Sequence, residues 1–376
     1  MEKIRYGIIG CGMMGQEHLR NIALIDGAQV AAIFEPDAGM RAQAQALAPM
    51  AQFHDTIDSL LATDTLDALL IASPNHLHVT QMAQIAANRP LPLLVEKPVF
   101  TDPAHFDTLL ALDYGAPLWV AMEYRYMPPV AEFVQQAQQV TGGIKMLSIR
   151  EHRFPFLPKI GDWNRFNRNT GGTLVEKCCH FFDLMRLIMN DNPVRIMASG
   201  GQDVNHLEER YDGVQPDIWD NAYVIVDFAR GARAMLELCM FAEGARYQEE
   251  ITAVGPDARI ECLVPGPGRF WPPHLGAPPV PQLIVSPRSP KGPRQMAVPV
   301  DPALLEAGDH NGSTFYQHAR FADVVRGRGK VDVTLSDGLW AVQMGLAAQH
   351  SALTGQAVRL HADGRIDTSA PAPDTA

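Results

Sequence analysis

The 376-residue sequence has no long apolar run, no cysteines spaced C-x-x-C and no excess of basic residues. Without a long apolar run, no segment is expected to span a bilayer. The 31 lysines and arginines are outnumbered by 42 aspartates and glutamates, and the net charge of −11 argues against nucleic acid or an anionic membrane as a partner. The N-terminus leads directly into an apolar strand pattern instead of a cleavable signal, so we expect a cytoplasmic protein.

The cysteine content excludes two further kinds of site. The five cysteines are odd in number and lack paired spacing, so a disulfide framework, a zinc site or another metal site is not expected. The sequence also has no internal repeat, no nucleophile elbow and no phosphate loop of the NTPase type. Its length and its 47% hydrophobic content are typical of an ordinary globular protein with about two domains.

The clearest motif lies in residues 4–15, where an apolar strand pattern ends in a G-x-G-x-x-G turn and a helix-compatible segment, residues 16–25, follows. Gly10 makes the turn, Gly12 lets the backbone approach a pyrophosphate, and Gly15 lets helix and strand pack closely. Unpaired N–H groups at the start of the helix would face the phosphates. The cofactor-binding residues predicted from this turn are Gly10, Gly12, Met13, Met14 and Gly15.

A carboxylate at the end of the next strand bears on the choice of nucleotide. The strand pattern of residues 29–34 ends in Glu35, at the spacing expected for a side chain that accepts hydrogen bonds from ribose hydroxyls. A carboxylate repels a 2′-phosphate, and Pro36 offers no donor, so NAD is favoured over NADP. Two alternatives stay open: Glu35 caps the next helix together with Asp37, or Arg41 reaches back to accommodate NADP.

Two later strand patterns also end in polar residues. The apolar run of residues 66–72 ends at Ser73-Pro74-Asn75-His76, and the run of residues 93–95 ends at Glu96-Lys97-Pro98. Such runs are typical of parallel strands buried on both faces, and ligands bind at the carboxyl ends of those strands. With the helix patterns between them, residues 1–122 predict a six-strand α/β unit.

These motifs, in this order and spacing, resemble those of the Gfo/Idh/MocA oxidoreductases, and Glu96-Lys97-Pro98 is the most specific of them. The resemblance implies an α/β Rossmann domain in residues 1–122. It implies an α+β domain with a large, mostly antiparallel open sheet in residues 123–361. Further NAD contacts are then expected from Ser73, Pro74, Asn75, His78, Glu96 and Lys97.

The loop of residues 155–169 combines aromatic and polar side chains, among them Trp163, Asn164, Asn167 and two arginines. Ring faces beside amide and guanidinium donors suit a sugar or polyol. The alternative is that a long polar loop simply covers the sheet. The predicted substrate-binding residues are Lys97, Arg125, Arg153, Trp163, Asn164, Asn167 and His180.

Residues 171–183 form a second cluster of candidate catalytic groups. Apolar residues recur there at helical spacing, which predicts one helix from about Thr173. Glu176, His180 and Asp183 would then lie on neighbouring parts of one face. A carboxylate beside an imidazole orients the ring and raises its basicity, so His180 is a candidate proton acceptor. The alternatives are a surface ion pair and, less favoured, half of a metal site.

The same stretch resembles the family motif G-G-x-x-x-D-x-G-x-H-x-x-D with two departures. Glu176 stands where aspartate is usual, and Cys178 stands where glycine is usual. The first change moves the charge outward by one methylene, and the second adds bulk near the ligand. Both departures indicate a subgroup with its own substrate, so inositol specificity is not carried over.

In the second half of the sequence, most of the patterns are those of strands that follow one another without intervening helices. Such an order indicates a mostly antiparallel sheet. An uncovered face of such a sheet predicts a homodimer or homotetramer. Residues 266–302 are rich in proline and predict an irregular segment with at most one edge strand, near 283–286. A helix over 314–325, a second one capped by Ser336, and a frayed tail at 362–376 are expected to close the chain.

The predicted function is NAD-dependent oxidation of a secondary hydroxyl on a sugar, inositol or related polyol. The predicted catalytic residues are Lys97, His180, Glu176 and Asp183. His180 would accept the hydroxyl proton and Lys97 would stabilise the alkoxide, although Lys97 can itself be the base. Two alternatives are a lyase or hydrolase that uses bound NAD transiently, and a catalytically silent sugar sensor.

Overall fold

The structure is a computed structural model that describes residues 3–367. Its first half contains a six-stranded parallel sheet in the order β3-β2-β1-β4-β5-β6. Central strand β4 is buried on both faces, as its continuous apolar run predicts. The strands are β1 (Ile4–Ile9), β2 (Ala28–Phe34), β3 (Gln52–His54), β4 (Ala68–Ile71), β5 (Leu93–Val95) and β6 (Leu118–Val120).

Five helices connect these strands, and side-chain caps begin two of them: Asp37 caps α2, and Thr56 caps α3. Helix α1 begins directly after Gly12, three residues earlier than predicted, so its first turn lies against the glycine turn. The helices are α1 (Met13–Ile22), α2 (Ala38–Leu47), α3 (Ile57–Leu61), α4 (His78–Asn88) and α5 (Phe106–Leu110).

The second half contains a ten-stranded sheet in the order β14-β13-β12-β11-β7-β10-β9-β8-β15-β16. Strands β7 and β10 pair in parallel, and the other neighbouring strands pair antiparallel. The strands are β7 (Met146–His152), β8 (Pro193–Gly201), β9 (Asn221–Phe228), β10 (Arg233–Cys239), β11 (Glu249–Val254), β12 (Ala258–Val264), β13 (Gln282–Pro287), β14 (Arg294–Ala297), β15 (Val358–Leu360) and β16 (Ile366–Asp367).

Helices of the second half pack against one face of this sheet, and α11 returns to pack against α1 of the first half. Within residues 3–367, no helix combines the length and the apolar character that crossing a membrane requires. The helices are α6 (Pro128–Thr141), α7 (Asn167–Thr170), α8 (Thr173–Glu176), α9 (Cys179–Met189), α10 (Pro302–Ala307), α11 (Ser313–Val325) and α12 (Leu335–Thr354).

Three local predictions were wrong. The proline-rich segment holds two strands, β13 and β14, and a helix begins at its end, at Pro302; β14 escaped notice because all four of its residues are exposed and lack apolar alternation. Thr334, not Ser336, caps α12, in a capping box with Asp337. The sheet continues through β16 inside the predicted frayed tail, whose remainder, residues 368–376, lies outside the described residues.

Candidate active site

The three glycines of the turn differ in what surrounds them. Gly10 has a φ of 91°, and a Cβ added there would lie 2.6 Å from the amide nitrogen of Ser73. A Cβ on Gly15 would lie 2.4 Å from the carbonyl oxygen of Gly10, whereas one on Gly12 would meet no atom within 4 Å. Gly10 and Gly15 are therefore required by the turn and its packing, while Gly12 borders open space.

That open space is part of a cavity of about 500 Å³ at the carboxyl edge of the parallel sheet. Most of the predicted cofactor residues line it: Gly10, Gly12, Met13, Met14, Glu35, Ser73, Pro74, Asn75, Glu96 and Lys97. The second half contributes Pro158, Lys159, Ile160, Trp163 and Glu176. The cavity is therefore formed by both halves of the chain, as expected of a site at the edge of a doubly wound sheet.

His78 does not line this cavity. Its ring nitrogens lie 2.8 Å from the carbonyl oxygen of Pro98 and 3.0 Å from that of Ser73. The side chain is fully buried and ties the loop after β4 to the loop after β5. The prediction that His78 contacts the cofactor is replaced by a structural role, since both of its nitrogens are occupied.

Glu35 lies at the end of β2 with its carboxylate held by two backbone groups. The N–H of Cys11 donates to Oε2 at 2.6 Å, and the N–H of Asp37 donates to Oε1 at 2.8 Å. Asp37 alone caps α2, by accepting from the N–H of Met40. Arg41 does not reach back, because its guanidinium binds Asp55 at 2.8 Å. The fixed carboxylate faces the cavity with lone pairs left to accept further hydrogen bonds.

Lys97 and Glu176 meet where the two halves of the chain come together. The Lys97 ammonium donates to the backbone oxygen of Glu176 at 3.1 Å. The preceding residue, Glu96, has a carboxylate that accepts from the backbone N–H of Lys97 at 3.1 Å. The same carboxylate lies 2.9 Å from Nε2 of His18. Lys97 is therefore held at the cavity between a strand end of the first domain and a helix end of the second.

The predicted single helix from Thr173 is interrupted. Helix α8 ends at Glu176 and α9 begins at Cys179. At the break, the N–H of Cys178 lies 3.4 Å from the carbonyl oxygen of Thr173, five residues earlier, so the hydrogen-bond ladder slips by one residue. Because of this slip, the side chains before and after the break point in different relative directions. The spacing of a regular helix would have placed Glu176 and His180 on one face.

The predicted carboxylate partner of His180 is consequently absent from this structure. Oε1 of Glu176 instead lies 3.4 Å from the Lys159 ammonium, and Asp183 accepts a 2.6 Å hydrogen bond from Nε of Arg125. Nδ1 of His180 is buried and has no hydrogen-bond partner among the described residues. The prediction that Glu176 or Asp183 orients this imidazole is therefore wrong.

The imidazole of His180 lies in surroundings that disfavour its charged form. Burial contributes most to a pKa well below the ordinary histidine value. Four cationic groups lower the pKa further: Lys97, Lys177, His310 and Arg153. The low pKa favours the neutral imidazole. Lys97 and Glu176 line the cavity, whereas His180 is not among its lining residues.

The predicted substrate-binding residues separate into two groups. Trp163 lines the cavity, with its ring 4.4 Å from the Lys159 ammonium. Asn164 and Asn167 instead hold the loop, donating to the carbonyl oxygens of Leu157 and Asp217. The expected direct role of both asparagines is thus not supported.

The two predicted arginines also have other partners. Arg125 is bound by Asp183 and by the backbone oxygen of Asp332 and does not line the cavity, so its placement in the substrate site is corrected. The Arg153 guanidinium lies 4.4 Å from the ring of Phe154 and within 3.7 Å of Glu151. Its charge still reaches His180.

Sequence reasoning missed Lys159, although the loop that carries it was expected to reach the site. His310 lies close to two carboxylates, with its Nδ1 2.9 Å from Glu17 and 3.4 Å from Glu123. Burial lowers the pKa of His310, but the two carboxylates outweigh it and raise the pKa to about 9. A protonated His310 therefore links α1, the segment after β6 and the turn before α11.

Comparison with known families assigns both halves of the chain. Residues 4–122 match the model described as "Oxidoreductase family, NAD-binding Rossmann fold", and residues 137–360 match "Oxidoreductase family, C-terminal alpha/beta domain". The chain belongs to the Gfo/Idh/MocA oxidoreductase family. The predicted family, fold class and oxidoreductase class are thereby confirmed.

Two curated relatives of this Gfo/Idh/MocA chain match parts of it. The rhizopine catabolism protein MocA of Rhizobium meliloti is 28% identical over 203 residues, which cover 53% of this chain and 61% of the relative. The inositol 2-dehydrogenase of Leifsonia xyli is 40% identical over 112 residues, covering 29% of this chain and 32% of the relative. The chain thus spans less than two thirds of the length of either relative.

A solved levoglucosan dehydrogenase, in complex with NADH and levoglucosan, has a similar fold. The TM-score is 0.78 over 95% of this chain and 99% of that one, with 19% identity. At this identity the likeness establishes the fold alone.

The residues around the cavity fit a dinucleotide, as the NAD-binding Rossmann domain requires. The space beside Gly12 is free of protein atoms, so a phosphate group can approach the backbone there. Asn75 lines the same cavity, and its buried amide nitrogen lacks a protein acceptor among the described residues. The carboxylate of Glu35, a hydrogen-bond acceptor, also lines the cavity.

Proposed function

We propose that this chain oxidises a secondary hydroxyl of a sugar, inositol or related polyol with NAD as the oxidant. The observation that carries the proposal is the position of Lys97, which lines the cavity at the carboxyl edge of the Rossmann sheet and binds the backbone of Glu176 from the second domain at 3.1 Å. Inositol 2-dehydrogenase and levoglucosan dehydrogenase, among the similar proteins, support the class of substrate.

The chain's own residues would hold the nucleotide at three points. Glu35 would accept the ribose hydroxyls, the open backbone at Gly12 would face the pyrophosphate, and the Asn75 amide would donate to the nucleotide. When bound, nicotinamide supplies the hydride acceptor. Trp163 and Lys159, which line the cavity from the second domain, would exclude water from it.

The oxidation also requires a group that accepts the hydroxyl proton. We assign this role to His180, which is a neutral imidazole close enough to Lys97 for that cation to lower its pKa, and whose Nδ1 has no partner among the described residues. Lys97 would donate a hydrogen bond to the same oxygen and stabilise the developing alkoxide. The alternative assignment makes Lys97 the proton acceptor, and the kinetics of Lys97→Ala and His180→Asn distinguish the two.

The experiment that tests this function is an assay of NADH formation. Purified protein and NAD are mixed with inositols, aldoses, glycosides and sugar acids in turn. We expect one class to give NADH. If no class gives NADH but the protein retains tightly bound nucleotide and cleaves a glycoside, a lyase or hydrolase with transient oxidation replaces the proposal.

Glu35→Gln is expected to weaken NAD binding roughly tenfold to a hundredfold, since hydrogen bonds to a charged group contribute about 1.5–3 kcal/mol. NADP binding should improve relative to NAD, because the repulsion of a 2′-phosphate is removed. Titration calorimetry with both nucleotides measures the change. Arg41→Ala is the matched control, because Arg41 binds Asp55 and not Glu35. Unchanged NAD affinity in Glu35→Gln would remove Glu35 from the cofactor site.

We also propose that the open face of the large sheet joins subunits into a homodimer or homotetramer. Alternation along the strands places several exposed apolar side chains on this outer face: Met146, Met197, Tyr223, Ile225 and Val254. Helices cover the opposite face, so the outer face is the one left for a partner. A self-complementary contact between two such faces suits a two-fold dimer.

Ile225→Arg is expected to shift the protein towards monomers, because a charge would be buried at the centre of that contact. Light scattering after gel filtration measures the mass. Met50→Arg is the control, because Met50 is 91% exposed and lies in the first domain. A monomeric wild type, or an unchanged mass for Ile225→Arg, contradicts this interface.

A further inference from the structure

The imidazole of His180 is held by an aromatic ring and not by a carboxylate. Its ring lies parallel to that of Tyr124, with centroids 4.0 Å apart and an angle of 6° between the planes. Both side chains are almost fully buried, with 2% and 3% of their surface exposed. A stacked ring on one face prevents the imidazole from turning about its Cβ–Cγ bond.

Tyr124 is fixed in turn by Lys177, which lies in the break between α8 and α9. The Lys177 ammonium donates to the Tyr124 hydroxyl at 2.6 Å and pairs with Oε1 of Glu151 at 2.8 Å. Glu151 belongs to β7 and is completely buried. An ion pair, a hydrogen bond and a ring contact therefore connect Glu151 of the large sheet to His180. The two side chains between them are Lys177 and Tyr124.

We propose that Tyr124 and Lys177 are the positioning residues of His180. Stacking on Tyr124 sets the plane of the imidazole, and the hydrogen bond from Lys177 sets the position of the phenol. The inference rests on the proposed role of His180 as proton acceptor and adds the means by which this chain orients it. It also gives a role to the helix break, which points Lys177 towards the sheet.

The charge of Lys177 has a second consequence. A cation near the imidazole disfavours the imidazolium form, so Lys177 lowers the pKa of His180 and keeps the ring neutral before the reaction. Other charged groups also face this region: Lys97 after β5, Arg153 after β7, and His310 before α11. Removing Lys177 alone should raise the pKa of His180 towards the ordinary value without abolishing the effect of the others.

Three variants test the proposal: Tyr124→Phe, Tyr124→Leu and Lys177→Met. Tyr124→Phe keeps the stacked ring but loses the hydrogen bond from Lys177, so we expect a loss in kcat that is clearly smaller than that of Tyr124→Leu. Tyr124→Leu removes the ring, and kcat should fall on the order of 10²-fold with the KM for NAD unchanged, the size of loss that a small misplacement of a reacting group causes. Tyr126→Leu is the matched control, because Tyr126 belongs to the same turn but packs against Trp119, with the rings tilted, and not against His180.

A pH profile and a nuclear magnetic resonance titration separate positioning from a merely structural role. In Lys177→Met, the acid limb of kcat should move to higher pH, because His180 then binds a proton more readily. Protein labelled with ¹⁵N-histidine shows the same rise in the His180 pKa directly, with His180→Asn identifying the signal, and needs no substrate. If Lys177→Met fails to fold, the same titration on Tyr124→Leu reports a changed tautomer equilibrium of His180.

The results distinguish this inference from the proposed function. If wild type gives no NADH, the proposed function fails. If His180→Asn is as active as wild type, the proton step belongs to Lys97, and this inference falls together with the role of His180. If His180→Asn is inactive while Tyr124→Leu matches Tyr124→Phe in kcat and in the His180 titration, the inference alone is overturned. An unmoved acid limb and an unmoved His180 pKa in Lys177→Met overturn the role of Lys177.

Discussion

Lys97→Ala is expected to lower kcat on the order of 10³-fold or more, because the variant loses the donor that would stabilise the alkoxide oxygen. Lys97 connects the two domains at the cavity, because its ammonium donates a hydrogen bond to the backbone oxygen of Glu176. The neighbouring Lys159 is not a ready substitute, since its ammonium pairs with the Glu176 carboxylate. Steady-state kinetics with NAD and the accepted substrate measures the loss.

Nucleotide binding should survive this substitution. Glu35 and the glycine turn lie on other parts of the cavity wall, so titration calorimetry of Lys97→Ala with NAD should give nearly the wild-type affinity. Lys145→Ala, at an exposed lysine, is the control for the loss of one positive charge. Turnover near the wild-type rate in Lys97→Ala would show that the chemistry does not use this residue.

His180→Asn is expected to lower kcat by roughly 10²- to 10⁴-fold, the usual contribution of general acid–base catalysis. Asparagine retains hydrogen-bonding groups but does not accept a proton at neutral pH. The stacked ring of Tyr124 should tolerate the smaller side chain, so the loss should appear in kcat and not in NAD binding.

His350→Asn serves as control, because His350 is exposed near the end of α12. A rate for His180→Asn within about twofold of wild type would transfer the proton step to Lys97. A large loss in both Lys97→Ala and His180→Asn, with only the latter partly restored at high pH, would support the division of roles proposed here.

The cofactor half of the site could be predicted from sequence because its signals are local. The glycine turn, Glu35 and Lys97 each follow a strand, and the carboxyl ends of parallel strands lie at one edge of a sheet whatever the details of packing. Short apolar runs alternating with helix patterns were therefore enough to predict a six-strand α/β unit. They also placed the cofactor residues at the carboxyl edge of its sheet. Errors there were limited to helix ends and to His78.

The second half of the site was less predictable because its geometry depends on contacts distant in sequence. Arg125 binds Asp183 across 58 residues, and Lys177 reaches Tyr124 across 53. Helical spacing from Leu174 onwards gave no sign of the break, since apolar residues continue on both sides of it. A slip of one hydrogen bond was enough to separate Glu176 from His180.

The most direct test of the central claim follows the hydrogen removed from carbon. The substrate that the protein converts is prepared with deuterium on its ring carbons, and the nucleotide and the sugar product are analysed by mass spectrometry after turnover. We expect NADH that carries one deuterium, formed in equal amount with a ketone product. Product formation with unlabelled nucleotide, or with the deuterium returned to the sugar, would contradict net hydride transfer and identify a transient oxidation instead.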